Sequence, residues 1–170
     1  SANLIGSGGL SLTVSEVDSV PGAAGITGSL RILGGGNVSV SNIEIVIGTT
    51  GSVETITMLD TGPLSVSNIN AVIGTTASTD QVVMAASGAL SISAVDTITG
   101  NTGTDTITLL GTSGESVAVS SIETVLGGAG TDTVNVLNTT AVTIAASDVE
   151  TVVGNSGSDT LRMLSAGPVS

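Results

Sequence analysis

Carboxylates are the only side chains here in numbers that could do chemistry. The 170-residue chain has 14 Asp and Glu against two arginines, Arg31 and Arg162, with no Lys, no His, no Cys and no aromatic residue. Paired carboxylates can serve as general acid and base. Here no histidine, lysine, tyrosine or cysteine stands beside them, no aromatic platform could hold a sugar, and the two arginines lie near opposite ends. Catalysis is therefore not expected. A net charge of −12 leaves nothing to neutralise phosphates, which excludes nucleic acid. It favours cations, and Ca²⁺, which takes oxygen ligands, is the simplest of them. Zinc and copper lack their usual nitrogen and sulfur ligands.

Three acids sit in glycine-rich runs of one pattern: Asp105 in GNTGTDTIT (Gly100 to Thr108), Asp132 in GGAGTDTVN (Gly127 to Asn135) and Asp159 in GNSGSDTLR (Gly154 to Arg162). The elements that position them follow from a repeat. The apolar residue of the motif apolar-acid-x-apolar-x-Gly falls at Val17, Ile43, Ile69, Val95, Ile122 and Val149, at spacings of 26, 26, 26, 27 and 27. Such a period along the whole chain means a solenoid, in which each unit buries its apolar face against the next. Residues 1–170 form one such domain, with no linker or composition shift to mark a second.

Each repeat reads as three short strands. The first alternates, as in Leu64-Ser-Val66-Ser; the second runs from Ile43 to Ile47 and its equivalents and closes on glycine; the third is Ile56-Thr-Met58 and its like. Glycine-punctuated segments this short leave no room for helix. The expectation is an all-β, right-handed parallel β-solenoid of about six coils of 26–27 residues, three strands per coil, with the six anchors stacked in one column. Coils ~4.8 Å apart would span roughly 29 Å. With no Phe, Tyr or Trp, the core must be thin and aliphatic. Ile43 and Val46 are three apart, so a bend is expected between them. Adjacent apolar pairs leave a leucine column of Leu33, Leu59, Leu110, Leu137 and Leu164, which fills the following corner or forms a lateral interface.

The three glycine-rich runs resemble the repeats-in-toxin, or hemolysin-type calcium-binding, repeats of secreted bacterial proteins. The resemblance implies Asp105, Asp132 and Asp159 as Ca²⁺ ligands, with Gly103, Gly127, Gly130 and Gly157 shaping the turns. It also implies calcium as the one cofactor, and an extracellular or cell-surface bacterial location. Glu54 and Asp80 hold the matching place in earlier coils, but there the turn is one residue longer and lacks the second motif glycine. The family carries two nonapeptides per coil and this chain one per sequence repeat, so a three-sided coil is expected in place of a flat two-sheet roll. Stacking the three aspartates at ~4.8 Å would cost about 1 to 3.5 kcal/mol per adjacent pair, which a bridging cation would reverse. Otherwise each caps its own turn through backbone amides. A second acidic ladder, Asp18, Glu44, Asp96, Glu123 and Glu150, interrupted by Asn70, reads as a solvated outer face.

The functional expectation is a structural secreted protein: a subunit or segment of an extracellular filament, surface layer or adhesin stalk. A calcium-dependent adhesin or secretion-associated module is the alternative. Ice binding is a minor one, since Thr55/Thr57 and Thr106/Thr108 suit a threonine ladder that Arg31, Val83, Asn135 and Arg162 would interrupt. No apolar run approaches the ~20 residues of a membrane-spanning helix. Asn3-Leu4-Ile5-Gly6 resembles the close of a third strand and Pro168-Val169-Ser170 the opening of a first. On that basis, head-to-tail stacking into a homopolymer is expected.

Overall fold

The computed structural model describes residues 1–4, 9–76 and 79–164. Ile5, Gly6 and Pro168 to Ser170, on which the expectation of matching ends rests, lie outside the described residues. Among the described residues there are short strands and no helix, hence no helix long and apolar enough to cross a membrane. In chain order the strands are β1 (Leu10–Val14), β2 (Ser19–Pro21), β3 (Gly28–Ile32), β4 (Gly36–Ser41), β5 (Ile45–Ile47), β6 (Glu54–Met58), β7 (Gly62–Ser67), β8 (Ala71–Ile73) and β9 (Asp80–Met84). There follow β10 (Gly88–Ser93), β11 (Thr97–Thr99), β12 (Asp105–Leu109), β13 (Ser116–Ser120), β14 (Thr124–Leu126), β15 (Thr133–Val136), β16 (Thr143–Ser147), β17 (Thr151–Val153) and β18 (Thr160–Met163).

The odd-numbered strands form one nine-stranded sheet and the even-numbered strands another. All pairings are parallel, each strand bonding to those two before and two after it in the chain. The molecule is thus an all-β parallel solenoid with three strands per sequence repeat, as the periodicity predicts. The coil differs from the expected one. A turn contains two strands, not three, and register partners such as Ser29 with Ile45, or Thr97 with Ala118, are closer in sequence than one repeat. This makes about eight turns of ~18 residues in place of six of 26–27. Two facing sheets, each offering one or two inward aliphatic side chains per strand, bury one another without the bulky residues a three-sided interior would need.

Three strands per repeat on a two-strand turn make each repeat one and a half turns, so successive repeats place the same residue on opposite edges. The anchors accordingly form two columns. Val17, Ile69 and Ile122 lie where odd strands pass into even ones, and Ile43, Val95 and Val149 lie on the other edge. Members of a column are three strands apart, about 14 Å.

The core is a set of in-register aliphatic columns. One sheet contributes Val38, Ile56, Val72, Ile92 and Leu109, the other Leu64, Val82, Ile98, Val119 and Val136, and all are buried. Each such side chain stabilises by ~1.5 to 3 kcal/mol. The bend expected between Ile43 and Val46 falls earlier, and the second strand begins only at Ile45: the residue preceding each anchor, Glu16, Asn42, Asn68, Ala94, Ser121 or Asp148, has a left-handed φ of 51 to 55°. That twist turns both Ile43 and Val46 inward. The closing glycine of the previous turn answers this corner. A Cβ on Gly22, Gly48, Gly74, Gly100 or Gly127 would lie 1.6 to 2.2 Å from the carbonyl oxygen of the left-handed residue one layer on, so only glycine fits.

Candidate metal turns and their carboxylates

Three kinds of corner recur along each edge in fixed order. A glycine corner, beginning at Gly22, Gly48, Gly74, Gly100, Gly127 or Gly154, is followed one layer later by a left-handed corner. One layer beyond that comes a leucine corner, beginning at Leu33, Leu59, Ala85, Leu110 or Leu137. Because the repeat is one and a half turns, glycine corners alternate between edges. Asp105 and Asp159 share one edge, three strands apart, while Asp132 is on the other with Asp80. The expected ladder of aspartates at one strand spacing does not form. The carboxylates nearest each aspartate belong instead to the other kinds of corner, as Glu115 and Glu150 do in the layers on either side of Asp132.

Each motif carboxylate instead straddles two layers. Asp132 is fully buried; its Oδ2 accepts the N–H of Gly128 in its own turn at 2.8 Å, and its Oδ1 accepts the N–H of Glu115 in the preceding layer at 2.7 Å. Asp105, also fully buried, takes Asn101 N–H at 2.8 Å and Gly88 N–H at 3.1 Å. Asp159, partly buried, takes Asn155 N–H and Val142 N–H at 3.1 and 3.2 Å. Hydrogen bonds to a charged acceptor are worth about 1.5 to 3 kcal/mol each, which offsets burial of the carboxylate.

The second acidic set is only in part a solvated face: Asp18 and Asp96 are exposed, whereas Glu44, Glu123 and Glu150 are half-buried. The backbone N–H of Asp80, Asp105 and Asp132 donates to the carboxylate of Asp96, Glu123 and Glu150, one layer further on, at 2.7, 2.8 and 2.7 Å. Gly28 N–H donates likewise to Glu44, and Asn70 fills the same role by accepting Glu54 N–H through its amide oxygen at 2.9 Å. Asn70 therefore continues the ladder that it was expected to interrupt. A third set closes the cycle: the left-handed residues Asn42, Ala94 and Ser121 donate N–H to Asp60, Glu115 and Asn138 of the next leucine corner. This last set was not legible as a period, because leucine corners vary in length. The only hint is a polar residue directly after Leu59 and Leu137, where Glu115 stands five places after Leu110.

The motif glycines serve layer packing. A Cβ on Gly103 would lie 1.7 Å from Ser87 Oγ in the leucine corner below, and one on Gly130, whose φ is +108°, 2.2 Å from Gly114 N. Gly157 has φ +129° and lies over Ala141. Gly127 leaves room for the Asp132 carboxylate as well as for the Asp148 carbonyl.

The donor set does not fit a calcium ion. Ca²⁺ takes about six to eight oxygens, whereas the groups converging on these aspartates are N–H dipoles oriented for an anion. No three acidic side chains among the described residues are placed to hold a metal. Glu54 and Asp80 occupy the same buried position, but Glu54 Oε2 and Asp80 Oδ1 have no hydrogen-bond partner among the described residues. A notch of about 430 Å³ over the left-handed corner at Ala94 holds two carboxylates, Asp96 and Glu115, each already bonded to a main-chain N–H.

The leucines divide between the edges: Leu33 and Leu137 on one, with Ala85 between them, and Leu59, Leu110 and Leu164 on the other. They are 45 to 57% exposed. At three-strand intervals they fill no corner and make no continuous apolar column. Thr55, Thr57, Thr106 and Thr108 belong to the even sheet together with Arg162, whereas Arg31, Val83 and Asn135 belong to the odd sheet and do not interrupt them.

Fold and edges together define a parallel β-solenoid whose successive layers are tied by carboxylates. The chain matches no family model, no curated protein and no solved structure.

Proposed function

We propose that this chain is a structural rod segment of an extracellular or cell-surface assembly, such as a filament, surface layer or adhesin stalk, extended along the solenoid axis by end-to-end stacking. The observation that carries this reading is the continuity of both nine-stranded ladders from layer to layer, with side chains spent on holding each layer to the next. The likeness of Gly127 to Asn135 to calcium-binding repeats of secreted bacterial proteins supports a bacterial, extracytoplasmic setting. No enzymatic role is proposed, because the buried carboxylates of Glu54, Asp80, Asp105 and Asp132 are engaged by main-chain amides. Electron microscopy and sedimentation over a concentration series test the reading. Axial fibres or concentration-dependent growth are expected, and a concentration-independent monomer without fibres would overturn it.

A further inference from the structure

We infer that the Gly-Asp turns lock the solenoid without a metal, the interlayer link being made by carboxylates that accept main-chain N–H groups from the adjoining layer. A cation sandwiched between two such turns needs them in successive layers of one edge. Here the next glycine corner on an edge is three layers away, and the layers between belong to left-handed and leucine corners. On the edge that carries Asp132 the links run Gly28 to Glu44, Asn42 to Asp60, Asp80 to Asp96, Ala94 to Glu115, Glu115 to Asp132 and Asp132 to Glu150, donor named first. These span every step between successive layers from Gly28 to Glu150 except the one at Asp80 Oδ1, which is unpartnered.

In this arrangement each Asp132 oxygen already accepts a main-chain N–H, from Gly128 and from Glu115, so the buried carboxylate is held and its charge offset without an ion. In the adjoining layers one oxygen of Glu115 accepts the N–H of Ala94 and one oxygen of Glu150 accepts the N–H of Asp132. The glycines follow from the same geometry, since Gly127 is excluded from bearing a side chain by the Asp148 carbonyl and the Asp132 carboxylate, with no ion required. The structure thus assigns Asp105, Asp132 and Asp159 as positioning residues for the preceding layer, independently of what the rod is for.

The test is amide hydrogen exchange and thermal unfolding of the full chain in chelator, in millimolar Ca²⁺ and in Mg²⁺ at matched ionic strength. The amides of Gly128 and Glu115 should be protected in chelator and no further protected by Ca²⁺, and Ca²⁺ should shift the melting midpoint no more than Mg²⁺ does. A shift common to both ions is screening of the −12 charge and agrees with the proposal. Asp132→Asn should lower the midpoint equally in all three buffers. If those amides exchange freely in chelator and become protected only with Ca²⁺, or if Ca²⁺ alone raises the midpoint, the proposal is wrong. The exchange arm needs no variant, so it decides even if Asp132→Asn does not fold.

Discussion

The corners that begin at Gly127 and at Gly74 share a plan and differ in one contact. Asp132 accepts an N–H four residues back in its own turn, at Gly128, and a second from Glu115 in the layer below. Asp80 accepts both the N–H and the hydroxyl of Thr75, five residues back, on a single oxygen, and leaves Oδ1 unpaired in a fully buried position. The extra turn residue moves the carboxylate back over its own turn and off the neighbouring layer. The corner at Gly48 behaves the same way. Thr49 N–H reaches Glu54 Oε1, Glu54 Oε2 has no partner, and the layer below bonds instead through Gly36 N–H to the Val53 carbonyl. Turn length therefore decides whether an acid ties two layers together or only one turn.

The largest effect expected within this comparison is Gly127→Ala. Its Cβ would fall 1.6 Å from a backbone carbonyl that cannot move without shifting a layer. A loss above about 3 kcal/mol should appear in equilibrium unfolding. Gly34→Ala, with nothing within 4 Å of the added Cβ, should stay within about 0.5 kcal/mol. Next comes the pair of aspartates. Asp132→Asn replaces one acceptor by a donor facing an N–H and should cost about 1 to 3 kcal/mol. Asp80→Asn removes a buried charge that lacks one partner, and should be neutral or stabilising by chemical denaturation. Equal losses at the two sites would erase the distinction between the corners.

Smaller still is the left-handed corner. Ala94 holds a φ of 54° with a side chain that gains nothing from it. Ala94→Gly should therefore stabilise by about 0.5 to 1 kcal/mol, relief of the left-handed strain outweighing the added chain entropy. Asn68→Gly, starting from a residue that tolerates this conformation, should change stability less.

The fold class and the three strands per repeat were legible in the sequence, because alternation and glycine punctuation are local signals; the spacing of Ile43 and Val46 signalled a bend but put it inside the second strand, where the left-handed residue in fact precedes Ile43. The number of strands per turn was not. The period counts positions between equivalent residues, such as Ile43 and Ile69, and is silent on how far the chain rotates in that interval. One repeat per turn would stack Asp105 on Asp132 and Leu110 on Leu137; in the structure the acid one layer after Asp132 is Glu150, from a left-handed corner, and Leu110 and Leu137 lie on opposite edges. The partners of Glu44, Asp96, Glu123 and Glu150 were hidden for the same reason, since each bonds a backbone amide 16 or 18 residues earlier, a distance the period does not contain.

That rotation is the central claim, and the lack of any cysteine gives a clean background for testing it. Outward positions in register on adjacent parallel strands are within disulfide reach, and positions on opposite sheets are not. Thr57 is in register with Ile73 on the even sheet, whereas Val83, one sequence repeat after Thr57, lies on the odd sheet. The double variant Thr57→Cys with Ile73→Cys should form an intramolecular disulfide under mild oxidation, read by mass spectrometry of the monomer. Thr57→Cys with Val83→Cys should remain reduced. Efficient bridging of the second pair and none of the first would contradict a repeat of one and a half turns.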